Sequence, residues 1–364
     1  VEVGFSLPMD HIKIMSVKIK TVVKQLPKFS RTTAEILPFL DAWLVDQDDR
    51  FIRKVKKIFE GAAVDKRYSI MDPIEVFNNT SFEERNAIYI REVIILGEKV
   101  LEKALAQTHW KPTDLDYIIT VSCTGIMIPS LDAYLINSLG LRPDIVRLPV
   151  TEMGCAAGVS GIIYAKNFLK ANPGKRAAVI AVESPTATFQ LNDFSMANIV
   201  SAAIFGDGAA CVLLSSHEDD HGPEILDESM YHFYDCIDMM GFELTNSGLK
   251  MVLDIEVPQT IISHFPDIIH PFLANNQLKI DDIEYLIFHP GGKKIVQTVT
   301  DLFSDLGKNI DVTREVLRLY GNMSSATVLY VLEEVMKSNP AKGEKGLMLS
   351  FGPGFSAQRV LLEF

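Results

Sequence analysis

Short apolar runs recur along the chain at 117–122, 177–182, 209–214, 285–288, 346–350 and 359–364, each of a length that suits a buried strand. Between several of them, apolar positions return with the helical period, at 88–106, 158–170, 257–273, 294–306 and 325–337. Strand and helix therefore alternate, which is the pattern of an α/β protein with covered sheets. The polar stretch 215–224, with His217, Glu218, Asp219, Asp220 and His221, reads as a surface connection. It divides the chain into a longer part, 1–215, and a shorter part, 216–364, sharing one core. The segment 1–50 is less regular and predicts no definite element.

Composition narrows the function classes. With 48% hydrophobic and 23% charged residues, the 364-residue chain can bury one large core or two fused ones. Its 35 Lys and Arg against 47 Asp and Glu give a net charge of -12, which argues against coating nucleic acid or an anionic membrane. Any anion it binds must find a local basic patch. Cys123, Cys155, Cys211 and Cys236 stand far apart with no Cys-x-x-Cys pair, so neither a zinc knuckle nor a disulfide framework is suggested. A reducing, cytoplasmic compartment fits that usage. No stretch approaches the ~18 uninterrupted apolar residues of a membrane span, and no secretory signal pattern opens the chain. The sequence begins at Val1, which is compatible with a place in a larger polypeptide.

Five segments carry candidate chemistry. In Thr151-Glu-Met-Gly-Cys-Ala-Ala-Gly158 a cysteine stands among small residues just before a helical pattern. Helix N-terminal N–H groups and a nearby imidazolium favour a thiolate there, and Cys155 would then attack a thioester carbonyl. The competing reading of Cys155 is an inert small hydrophobe; Cys211 and Cys236, without such a setting, are read as structural. Tyr285-Leu-Ile-Phe-His-Pro-Gly-Gly292 is a strand pattern ending in a histidine and a turn, which projects His289 into open space. His11, His109, His217, His221, His232, His264 and His270 read as ordinary surface or core residues, and no metal site is expected, since zinc wants three or four convergent ligands. Tyr320-Gly-Asn-Met-Ser-Ser-Ala-Thr327 places Asn322 ahead of a helix, either as an N-cap or as an amide donor to a developing oxyanion. Ile204-Phe-Gly-Asp-Gly-Ala-Ala210 and Ser350-Phe-Gly-Pro-Gly-Phe355 read on their own as glycine turns beside strands.

Taken together, Gly154-Cys155, Phe205-Gly-Asp-Gly208, His289-Pro-Gly-Gly292, Gly321-Asn-Met-Ser-Ser325 and Phe351-Gly-Pro-Gly354 resemble, in order and spacing, the chalcone synthase superfamily of type III polyketide synthases. Gly140-Leu-Arg-Pro143 fits too, and the match runs from about Lys54 to the C-terminus. The resemblance implies a homodimer of thiolase-like αβαβα subunits, each built of two pseudo-equivalent halves, 1–215 with the nucleophile and 216–364 with the His and Asn. It implies CoA thioesters as substrates and no metal or organic prosthetic group. Cys155 would hold the starter and growing chain, while His289 sustains its thiolate and joins Asn322 in binding the thioester oxygen of malonyl-CoA. Loss of CO2 then leaves an enolate that attacks the acyl-enzyme, with the two donors stabilising negative charge on that oxygen.

The resemblance also assigns the cavity. Phe205 matches a gatekeeper aromatic; the second gatekeeper, normally Phe, is Met251 here. Methionine is flexible, so the cavity is expected to admit longer acyl chains, and a fatty acyl starter is favoured over an aromatic one. Cys123, Thr188, Ser324 and the loop Phe351, Gly352 and Pro353 align with other cavity positions. Lys54 and Lys57 match a CoA-binding helix; Gly61 stands where the family has a third lysine, and Lys294 is a candidate replacement. The products implied are a pyrone, resorcinol or phloroglucinol-type ring. Two other readings compete: an initiating ketoacyl synthase, which shares the Cys, His and Asn trio but needs an acyl carrier protein, and a catalytically silent acyl-CoA-binding relative. An HMG-CoA synthase-like enzyme would need a catalytic glutamate, a role the sequence does not assign to Glu183.

Overall fold

A computed structural model describes residues 16–78, 81–304 and 310–364. His11 and the last two residues of the helix expected at 294–306 lie outside them. Thirteen strands appear among the described residues: β1 (Lys18–Gln25), β2 (Phe29–Thr32), β3 (Lys66–Ser69), β4 (Tyr117–Val121), β5 (Val146–Val150), β6 (Arg176–Glu183), β7 (Gly208–Ser215), β8 (Glu224–His232), β9 (Met240–Thr245), β10 (Gly248–Leu253), β11 (Tyr285–Phe288), β12 (Lys345–Gly352) and β13 (Ser356–Glu363). The helices are α1 (Thr33–Trp43), α2 (Asp49–Gly61), α3 (Pro73–Val76), α4 (Phe82–Thr108), α5 (Leu131–Ser138), α6 (Ala157–Ala171), α7 (Met196–Ile204), α8 (Val257–Asn275), α9 (Lys293–Ser304), α10 (Asp311–Tyr320) and α11 (Thr327–Lys337).

Nine strands form one sheet in the order β11-β12-β13-β8-β1-β7-β6-β4-β5. Reading outward from the β8/β1 seam, β1, β7 and β6 alternate in direction before β4 joins β6 in parallel. On the other side β8, β13 and β12 alternate in the same way before β11 joins β12 in parallel. One strand pattern is therefore used twice, with β5 added at one edge. Within the sheet, β1 and β8 meet at Lys18 and Glu224, with backbone bonds from Ile19 N to Pro223 O and from Ile225 N to Val17 O on either side.

Side-chain alternation along the strands sets the layers. Ala177, Val179 and Ala181 of β6 enter a central core with α6 and α11, whereas Ala178, Ile180 and Val182 face the core of α4 and α5. In the other half, Met348 enters the central core, while Leu347 and Leu349 pack with α8 and α9. The result is helix, sheet, helix, sheet, helix, as the family resemblance implies. The expected strands and helices appear at the expected places.

Two local expectations fail. The irregular segment 1–50 contains β1, a central strand. Its alternation is broken by a bulge between Ile19 and Thr21, which puts Ile19 and Val22 on one face although they are three residues apart. The stretch 215–224 is not wholly a surface connection. Ser215, Ser216 and Asp220 are buried, and Asp220 accepts hydrogen bonds from Ser215 Oγ at 2.7 Å and Arg176 Nε at 3.2 Å and pairs with Lys20 at 3.3 Å. Two cations and a hydroxyl draw this acid inward.

Candidate active site

The two central helices bring the site together. A 3-10 turn at Gly154–Ala156 leads into α6 and carries Cys155, and a matching turn at Ser324–Ala326 leads into α11 just after Asn322. Each helix precedes the corresponding strand of its half, β6 or β12, so the repeated fold places two helix N-termini at one seam. Their close approach depends on Gly158, where a methyl would sit 2.2 Å from Ser325 O. Gly154 has φ +50°, and a methyl there would meet Pro353 Cδ at 2.6 Å, which explains why glycine precedes the cysteine opposite the Phe351–Gly354 loop.

His289 follows β11 and extends its parallel pairing, with its N–H donating to Leu349 O at 3.0 Å. Asn322 is fixed by its backbone, which exchanges bonds with Ile204 O at 2.8 Å and Gly206 N at 3.0 Å. Its side-chain oxygen accepts from Ser324 N at 2.8 Å, and Nδ2 donates to Gly291 O at 3.2 Å, which turns the amide NH2 toward the turn after His289. The amide is held from both ends.

Cys155, His289, Asn322, Cys123, Ser324, Phe205, Met251, Phe351 and Pro353 line one cavity. Burial pushes the Cys155 thiol up to about 12, against bonds from Ser324 and Asn322 that lower it. Burial likewise pushes His289 down to about 3, and neither ring nitrogen has a hydrogen-bond partner among the described residues. Each group taken alone is therefore held neutral, so a thiolate here calls for a counter-charge, and His289 on the same cavity is the candidate.

The remaining candidates divide. Phe205 and Met251, with Pro185, also line a second, mostly apolar chamber, and Thr188 belongs to this chamber and not to the catalytic cavity. Thr188 Oγ1 is spent on Pro185 O at 2.8 Å. Gly352 is not a wall residue: a methyl there would meet Met153 O and the Ala156 Cβ at 2.6 Å, so it is a packing glycine. Lys57 and Lys294, with Lys293 and Gly61, line a cleft of about 620 Å³ that shares Ile204, Leu253, Gly291 and Ile295 with the catalytic cavity. Lys54 is exposed on α2 and does not line this cleft.

Glu183, which the sequence leaves without a role, lies fully buried at the end of β6. Its carboxylate accepts from Ser325 Oγ at 2.5 Å, Thr124 Oγ1 at 2.9 Å and Cys123 N at 3.0 Å, with Cys123 Sγ at 3.7 Å. Burial raises its pKa against those bonds. Ser324 Oγ lies 3.5 Å from Cys123 Sγ and 3.6 Å from Cys155 Sγ, so one hydroxyl links both thiols. Its residue adopts φ +48°, a strained position for a side-chain-bearing residue. Only the fold could bring these residues together, since they come from four separate segments. Among the described residues no three His, Cys, Asp or Glu converge as a metal site, and no helix is long and apolar enough to cross a membrane.

Comparison with known proteins gives concordant matches. Residues 38–218 match the N-terminal domain of chalcone and stilbene synthases, and residues 233–364 match their C-terminal domain. A putative chalcone synthase of Bacillus subtilis is 30% identical over 327 residues, covering 86% of this chain and 89% of that protein. A 1,3,6,8-tetrahydroxynaphthalene synthase of Streptomyces peucetius is 34% identical over 316 residues, covering 85% and 83%. The crystal structure of 1,3,6,8-tetrahydroxynaphthalene synthase from Streptomyces coelicolor, a bacterial type III polyketide synthase, superposes with a TM-score of 0.89 at 28% identity, covering 95% of this chain and 99% of that one.

Proposed function

Since the chain belongs to the chalcone and stilbene synthase family, the type III polyketide synthases, we propose that Cys155 carries a fatty acyl starter that malonyl-CoA extends repeatedly, with His289 and Asn322 activating the malonyl thioester. The observation that carries this reading is the convergence of a half-buried thiol, an imidazole whose nitrogens have no partner among the described residues and a clamped amide on one cavity.

The chemistry balances without other groups. His289 takes the Cys155 proton as sulfur attacks the acyl-CoA carbonyl; the C–S bond to CoA breaks, and the proton leaves on the CoA thiol. Malonyl-CoA then binds with its thioester oxygen toward His289 and Asn322. Breaking the bond to its carboxylate releases CO2 and leaves an enolate, whose charge the two donors stabilise. The enolate carbon attacks the Cys155 thioester, a C–C bond forms, and the thiolate departs. The product, longer by two carbons, reloads Cys155 until the chain cyclises to a pyrone, resorcinol or phloroglucinol-type ring.

Other features support the finer points. The apolar chamber past Met251 and Phe205, lined by Phe29, Ile36, Phe59, Val76, Phe77 and Phe189, suits a fatty acyl chain. The cleft with Lys57, Lys293 and Lys294 suits the CoA phosphates in a chain whose net charge is -12; Lys54 would act there only as a more distant charge. Ile126, Ile128, Tyr134 and Val146 are exposed apolar residues on or beside the edge around β5, with Ile128 93% exposed, which supports a homodimer through this edge. Dividing the chain at 215/216 assigns the nucleophile to one half and its two donors to the other, in keeping with the repeated strand pattern.

Mass spectrometry of products from malonyl-CoA with acetyl, medium-chain, long-chain and aromatic acyl-CoA starters tests this, beside Cys155→Ala. Rings or pyrones that favour medium or long chains and vanish in Cys155→Ala are expected. A single condensation that depends on an acyl carrier protein would refute it.

A further inference from the structure

A buried acid lies two residues after Phe205. Asp207 is fully buried, and no Lys, Arg or His pairs with it among the described residues. One oxygen accepts from Thr186 N at 3.0 Å and Thr186 Oγ1 at 2.8 Å, and the other accepts from Ile70 N at 2.8 Å. Its own backbone N–H donates to Tyr68 O at 2.8 Å. A buried carboxylate without a cation costs solvation; a neutral side chain would serve stability better unless both oxygens must accept at once, which only a carboxylate does.

The bonds join separate walls. Thr186 lies in the turn Pro185–Thr188. Pro185 lines both the catalytic cavity and the apolar chamber, and Thr186 and Thr188 line the chamber. Ile70 follows β3, whose Tyr68 and Ser69 line the chamber from another side. Phe205 lines both spaces, and its backbone is bridged to Asn322. Asp207 thus ties two chamber walls to the residue that divides the chamber from the catalytic thiol.

We propose that Asp207 is a specificity-determining positioning residue, which fixes the width of the passage between the catalytic cavity and the apolar chamber and so sets the acyl length that Cys155 can carry. This rests on the activity proposed above. It assigns selection among starters to a residue that touches neither substrate nor thiol.

The test measures kcat/KM for malonyl-CoA condensation with decanoyl-CoA and with acetyl-CoA, in the wild type, Asp207→Asn and Thr186→Val. An asparagine has one acceptor oxygen and can keep either the Thr186 side or the Ile70 side. Its long-to-short ratio should fall about tenfold toward one, the order expected for one lost buried hydrogen bond. Thr186→Val removes only the hydroxyl donor and should move the ratio the same way by about threefold. A purely structural role would lower thermal stability and both rates together, leaving the ratio alone. A ratio within about twofold of wild type in folded Asp207→Asn overturns the inference; if that variant does not fold, an unmoved ratio in Thr186→Val does so. Wild-type protein that condenses no starter refutes the proposed activity and this inference with it, whereas an active wild type with unmoved ratios refutes this inference alone.

Discussion

Replacing His289 with alanine isolates the electrostatics of the thiol. Among the described residues no Lys or Arg lines the catalytic cavity, and Glu183 adds a negative influence on Cys155. Burial outweighs the groups that favour the thiolate, which are then the Ser324 hydroxyl, the Asn322 amide and the backbone N–H of Cys155 itself, and the thiol stays at about 12. A thiol with that pKa is only about 10⁻⁴ ionised at pH 8. If His289 supplies the counter-charge in the wild type, as proposed, thiol and imidazole ionise as a pair at lower pH. Alkylation by iodoacetamide, followed by intact mass on Cys155 from pH 5 to 10, reads the thiolate directly because only that form reacts. In His289→Ala the rate should climb about tenfold per pH unit without levelling off, lying about 10⁴ below its limit at pH 8. In the wild type it should level off well below that range. A plateau at the same pH in both proteins would refute the reasoning, because it would mean that neutral donors and the helix terminus alone ionise the cysteine.

Further outcomes follow from other parts of the site. If the amide serves the enolate as proposed, Asn322→Ala should lower malonyl-CoA decarboxylation by about 10²–10³, measured as CO2 release, and should lower acylation of Cys155 far less. Met251→Phe should shift product mass toward shorter starters, because a rigid ring would stand between cavity and chamber; an unshifted profile would remove Met251 from chain selection. Gly158→Ala should cost at least about 1–3 kcal/mol by overpacking against Ser325 O, seen as a lower thermal midpoint together with lost condensation. Burial opposes ionisation of Asp220, yet its bonds to Ser215, Arg176 and Lys20 hold the carboxylate below its usual range. Its folded-state pKa is depressed, so its contribution is present above the ordinary value of about 3.9 and is lost as pH falls through the lower folded value. The gap in thermal midpoint between wild type and Asp220→Asn should therefore close as pH drops below about 4.

The hydrophobic pattern made the layers legible because most strands are buried on both faces and most helices run long enough to show their period. β1 escaped because its bulge breaks the alternation and its lysines mask the apolar face. β5, as Val-Arg-Leu-Pro-Val at an edge, carries too little apolar pattern to be seen. The cavity residues Cys155, His289, Asn322, Phe205, Met251, Cys123 and Ser324 were named from motifs and do meet in space. Gly352 and Lys54 line neither the cavity nor the cleft, and Thr188 lines the adjoining chamber instead of the catalytic cavity, because position in a motif does not say which way a backbone faces. Glu183 and Asp207 stand in the sequence without an assigned role for a related reason: their partners come from distant segments, and a single buried acid has no linear signature.

The repeated half explains where chemistry and selection reside. Cys155 lies in the turn that leads into α6, and Asn322 stands two residues ahead of the matching turn into α11, so the geometry that brings thiol and amide together is the geometry of the fold itself. It is enforced by Gly158 against Ser325 O. Any change there disturbs packing and reaction together. Selection is built differently: Met240, Gly241, Phe242, Met251 and Leu253 reach the cavity from the β9–β10 ribbon, which stands outside the nine-stranded sheet. A ribbon whose pairing is internal can change its side chains without moving the thiol. On this reading the ribbon supplies the side chains that meet the acyl chain, and Asp207 supplies the fixed opposite wall against which their size is measured. Exchanging ribbon residues should then change chain length in proportion to side-chain volume only while Asp207 keeps that wall in place.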